Sequence, residues 1–142
     1  MTGMFYFCEN LEKIDLSSFD VSNVRSIKAM FSLCKKLNSI NLSSFITKNI
    51  IDISCMFYCC EKLRSIDLSS FDVKNVDDIQ QMFTDCKDLV YIDLSSLDIK
   101  NGAIIKNIFL GCENLMFIKV SNKKLFRKIS YLTDVPNNLF IG

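Results

Sequence analysis

The 142-residue chain carries 17 basic and 16 acidic side chains, and 49% of its residues are hydrophobic. That length suits a single domain, 1–142, and the hydropathy argues against disorder. A formal charge of +1 argues against a binder held mainly by nucleic-acid phosphates. Histidine is absent, which removes Ser–His and Cys–His nucleophile pairs, histidine proton shuttles and histidine-ligated metals. At the N-terminus, Glu9 and Glu12 arrive before the apolar core of a signal peptide could form. No apolar run approaches the roughly 20 residues of a membrane span.

The chain aligns with itself in rows of 26 residues. Rows one to four cover 4–29, 30–55, 56–81 and 82–107, a partial fifth runs over 108–122, and a cap follows at about 123–142. A fixed period in this range marks a stacked repeat, in which each unit buries its apolar side against its neighbours. The row pattern is MFxxCxxLxxIDLSSFDVxNVxxI. Within it, Ile66 and Leu68 alternate with Ser65, Asp67 and Ser69, the period of a strand. LxxIDLSSF has the apolar spacing of a leucine-rich-repeat strand. Val24, Ile27, Phe31, Cys34 and Leu37 then fall three or four apart, as on one helical face. Asn23, Asn49, Asn75 and Asn101 precede that stretch, where Asn caps a helix or turns the backbone. The expected fold is therefore an α/β leucine-rich-repeat solenoid. Each 26 residues should hold one short parallel strand and one short helix or 3₁₀ turn.

Five of the seven cysteines (Cys8, Cys34, Cys60, Cys86 and Cys112) hold the same place in successive rows and are expected to be inward-facing, reduced thiols. Cys55, Cys59 and Cys60 lack a fourth partner for zinc. The repeated Ser-Ser pairs have no base to activate them; the second serine of each is expected to satisfy backbone groups where strand gives way to turn. No catalytic residue, metal or cofactor is assigned.

The outward strand positions define the candidate binding face: Lys13, Asp15 and Ser17; Asn41 and Ser43; Asp67 and Ser69; Tyr91, Asp93 and Ser95; Phe117 and Lys119. Ser39, Ser65 and Ser121 complete the columns. Neither Asp67 nor Asp93 is expected to pack, and a strand face offers few convergent oxygens for calcium. Tyr91 and Phe117 favour protein contact near the C-terminal end of the face. Leu11, Ile14, Leu16 and Phe19 form a candidate assembly surface at the N-terminal end, expected to be covered by a second copy or another protein, with missing earlier repeats or a frayed first row as the alternatives. Residues 119–142 hold five basic side chains, Lys123 and Lys124 among them, against Asp134 alone; this fits a polar terminating unit, closed by Pro136 and Asn137-Asn138.

The row resembles the BspA-like leucine-rich repeat, which also occurs in mycoplasma surface lipoproteins, over residues 4 to about 122. Ile27, Ile53, Ile79 and Ile105 stand where that family usually carries Met. The resemblance implies a non-catalytic cell-surface protein of bacteria or protozoa, concerned with adhesion or host-protein binding, with a protein as partner. The alternative, favoured by reduced thiols and the missing signal peptide, is an intracellular or particle-associated scaffold assembling through its ends.

Overall fold

The computed structural model describes residues 1–120, 123–132 and 139–141. Its organising feature is a run of tight turns at the Met-Phe segment of each row, whose backbone amides point in two directions. In row two, Met30, Ser32 and Cys34 donate to the carbonyls of Ile27, Ala29 and Phe31, three residues back. The amides between them, of Ile27, Ala29, Phe31 and Leu33, instead donate forward to Asp52, Ser54, Met56 and Tyr58 of the next row, at 2.7–3.1 Å. The same ladder recurs from Ile53, Cys55, Phe57 and Cys59 to Asp78, Gln80, Met82 and Thr84. It continues from Ile79, Gln81, Phe83 and Asp85 to the row beyond.

Left-handed residues produce this alternation. Ala29 and Leu33 have φ of 52° and 64°; Cys55 and Cys59, Gln81 and Asp85, and Asn107 and Gly111 repeat the pair one row at a time. Positive φ breaks the consecutive right-handed geometry that an α-helix needs. The helical arm expected in every row is therefore absent. The three-to-four spacing of Ile27, Phe31, Cys34 and Leu37 instead reflects turns that aim these residues inward, each 0% exposed. The Asn residues do not cap helices. Asn49 and Asn75 donate from Nδ2 to the carbonyls of Ser22 and Lys48, tying each row to the one before.

The repeated strand is corrected as well. Among the described residues, strands occur only at β1 (Tyr91–Asp93), β2 (Phe117–Lys119) and β3 (Phe140–Ile141), pairing in parallel in the order β1-β2-β3. In rows one to three the Ile-Asp-Leu segments retain in-and-out alternation but lack the strand ladder. The carbonyls of Leu16, Leu42 and Leu68 accept the hydroxyls of Ser44, Ser70 and Ser96 at 3.0–3.1 Å. These second serines take up backbone acceptors across rows. The chain is thus a stack of 26-residue rows joined through turns, and does not form the strand-plus-helix solenoid expected from its pattern.

Stacking at this spacing aligns like side chains. Phe5, Phe31, Phe57, Phe83 and Phe109 form a continuous column with ring centroids 5.3–5.9 Å apart and planes within 8° of parallel. Each thiol of Cys34, Cys60, Cys86 and Cys112 donates to the carbonyl of the Phe lying 29 residues earlier, at 3.0–3.2 Å. The single described helix, α1 (Lys123–Leu132), lies beyond the repeats and buries Leu125 and Ile129. Lys128 Nζ reaches the carbonyl of Lys100. Ser121, the 134–138 stretch and the side chains of Lys123 and Lys124 lie outside the described residues.

Phe57 is 0% exposed with a ring stacked on each side, whereas Phe5 is partly exposed and stacks on one. Phe57→Ala should therefore cost about 3–5 kcal/mol in urea unfolding, and Phe5→Ala distinctly less. Equal losses would contradict the stacked column.

Candidate protein-binding face

The side chains after each Ile are held by turns built into the sequence Asp-Leu-Ser-Ser. The amides of Ser17, Ser43, Ser69 and Ser95 donate to Oδ1 of Asp15, Asn41, Asp67 and Asp93 at 2.8–3.0 Å. Such local bonds let Asp and Asn turn the chain. Asp67 and Asp93 thus hold turns, although Asp67 is exposed as its outward position implied. The amide of Ser17 holds the Asp15 carboxyl below the usual carboxylate range. Ser69 does the same for Asp67, against a weak opposing push from the Asp93 charge.

Around that framework, Lys13, Asp15, Ser17, Asn41, Ser43, Asp67, Ser69 and Lys119 are exposed, and Asp93 and Ser95 are half-buried. The parallel register sets Tyr91 beside Phe117 and Asp93 beside Lys119. Lys119 Nζ sits 2.9 Å from Asp93 Oδ2. Hydrogen bonds from Ser95, then the contact with Lys119, pull the Asp93 pKa down to about 2. The aromatic pair remains open, Tyr91 at 38% and Phe117 at 45% exposed. Two further exposed residues, Val90 and Met116, adjoin them; Met116 N donates to Val90 O at 2.9 Å. Neither was singled out from the sequence. The available signal was their column, which holds Glu12, Asn38 and Arg64 in the first three rows.

Other candidate residues fall into different environments. Leu16 is buried at 1%, while Leu11, Ile14 and Phe19 are half-buried against the core. The large exposed apolar side chains of row one are instead Met4, Tyr6 and Phe7. Cys34, Cys60 and Cys86 are buried free thiols, Cys112 is half-buried, and Cys8 is exposed. The inward expectation therefore fails for Cys8, which makes none of the thiol-to-Phe bonds of the later rows. Burial pushes the Cys34 thiol up to about 11 and Cys112 to about 12, and lifts Cys60 and Cys86 well above the ordinary value. Cys55 and Cys59 are half-buried near Gln81 and Asp85. Among the described residues, no group of three or more His, Cys, Asp or Glu could hold a metal ion, and no helix is long and apolar enough to cross a membrane.

This architecture has general leucine-rich-repeat character. The chain is similar to a solved leucine-rich-repeat protein of T. pallidum, with 28% identity and a TM-score of 0.60; the match covers 83% of this chain and 50% of that one. The chain thus spans half the length of that protein. Residues 1–122 match a family model, and the chain belongs to that family, described as Mycoplasma protein of unknown function, DUF285. Comparison with curated proteins finds no match.

Because the Asp93 pKa is depressed when folded, its stabilising contribution is present above the ordinary carboxylate value of 3.8 and is lost as pH falls through about 2. Carboxyl-resolved NMR titration should place the Asp93 midpoint near 2, and Ser95→Ala or Lys119→Ala should each raise it. An unchanged midpoint in both variants would contradict this arrangement.

Proposed function

We propose that the chain is a non-catalytic protein-binding module whose partner docks on the face carrying Asp15, Asn41, Asp67, Asp93 and Lys119, with its main contacts in rows four and five. One observation carries this reading: Tyr91 and Phe117 stand exposed side by side, where Lys13, Ser39 and Ser65 occupy the same column in the earlier rows. Exposed aromatics grouped in this way supply most of the energy of many protein interfaces. They stand on paired backbone that loses little freedom on binding. The polar columns around them resemble the rim of an interface more than its anchor. The resemblance of the row to BspA-like repeats supports a role at a cell surface, in adhesion or host-protein contact. The likeness to another leucine-rich-repeat protein supports protein binding more generally.

Panning a displayed library of unstructured peptides against the chain tests the site. Recovered clones should lose at least tenfold in affinity for a Tyr91→Ser/Phe117→Ser double variant whose thermal midpoint stays close to wild type. Clones that bind both proteins equally would contradict this face as the binding site.

A further inference from the structure

A second feature adjoins the aromatic pair. A groove of about 540 Å³ is lined by Glu12, Lys36, Asn38, Lys62, Arg64 and Asp88. Its walls are two columns of the repeat. One passes through Lys36, Lys62 and Asp88; the other passes through Glu12, Asn38 and Arg64. Leu37, Leu63 and Leu89, all 0% exposed, lie between the two columns.

The second column continues past the groove. Val90 N donates to Arg64 O at 3.2 Å, and Met116 N to Val90 O at 2.9 Å. The column therefore leads along the stack from the charged groove to an exposed apolar patch, where Val90 and Met116 adjoin Tyr91 and Phe117. All four of these side chains are more than a third exposed.

The charge in the groove has a sign. Lys62 Nζ lies 3.1 Å from Asp88 and is neutralised by it. Among the described residues, Lys36 and Arg64 form no ion pair, and Glu12 is the only other acid lining the groove. The excess is cationic and sits in the middle rows, next to the apolar patch. With ring centroids marking row spacings of 5.6–5.9 Å, three steps from Lys36 to Met116 span roughly 17 Å. An extended chain covers that distance with about five residues at ~3.3 Å each. A nucleic-acid strand is a poorer occupant: Glu12 and Asp88 interrupt the cations, and no run of basic residues tracks a backbone.

We propose that the groove and the apolar patch beside it together bind a single extended, acidic polypeptide segment, its carboxylates against Lys36 and Arg64 and its large apolar side chains on Val90, Tyr91, Met116 and Phe117. The inference rests on the protein-binding reading and names the partner's chemistry.

Fluorescence anisotropy tests it with two labelled peptides of equal length. One carries an acidic stretch followed by a pair of large apolar residues; the other replaces the acids with lysines. The acidic peptide should bind at least tenfold more tightly at low salt, and Arg64→Glu should abolish or reverse that preference. Met116→Ser should weaken both peptides while leaving the thermal midpoint unchanged. Equal binding of the two peptides, or preference for the basic one, would overturn the charge assignment; binding insensitive to Met116→Ser would overturn the apolar anchor. Failure of both peptides to bind would overturn the proposed segment, whereas the broader reading would still stand if library clones depend on Tyr91 and Phe117.

Discussion

The forward-pointing amides of the Met-Phe turns are the interaction on which the other features depend. Each row sends a set of backbone donors into the next, so no row satisfies its own peptide groups alone. The arrangement requires left-handed residues, and eight of those described are not glycine. Each costs roughly 1–2 kcal/mol relative to right-handed backbone, a strain that isolated turns would relieve. The rows sustain it because relief would break inter-row bonds, unstack the phenylalanine column and leave buried thiols without their carbonyl acceptors. Gly111 holds the corresponding left-handed place in the last of these turns, with φ of 74°. A Cβ there would approach Asp85 Oδ1 to 2.1 Å, far inside any real contact.

With the register fixed by backbone, side chains on the outside vary without loss of fold. The column through Glu9, Lys35, Glu61 and Lys87 alternates in sign and forms pairs at 2.5 and 3.3 Å. These groups are partly solvated, so the pairs add little stability; they match one row to the next by charge. The columns through Val90 and Tyr91 use the same freedom differently. They are polar through the first three rows and apolar in the last two. A stack held together from within can therefore carry a binding surface on the side where its sequence changes character.

Much of this was legible in the sequence. The period, the row boundaries and the inward identity of Ile27, Phe31, Cys34 and Leu37 follow from alignment of the chain with itself. The backbone path through those residues does not. Spacing of three and four is common to a helical face and to this run of turns, and hydrophobicity alone cannot separate them. Glycine or asparagine would normally advertise positive φ. Here Ala29, Leu33, Cys55, Cys59, Gln81 and Asp85 adopt it, held there by tertiary bonds. The aromatic pair was visible because it falls on the outward phase of a period of two. Val90 and Met116 precede that alternation and escaped it. The turn-forming role of the aspartates was written in the repeated Asp-Leu-Ser, yet charge and exposure drew attention to the face they form.

Native-state amide hydrogen exchange tests the inter-row turn ladder most directly, because it reports which amides are bonded. The account predicts strong protection at Ile53, Cys55, Phe57 and Cys59, and at Ile79, Gln81, Phe83 and Asp85, which donate to the following row. It predicts fast exchange at Asp15, Asn41 and Asp67, in the Ile-Asp-Leu segments of rows one to three. Protection concentrated in those segments, with rapid exchange through the Met-Phe turns, would show that the rows are joined as strands and would contradict the account.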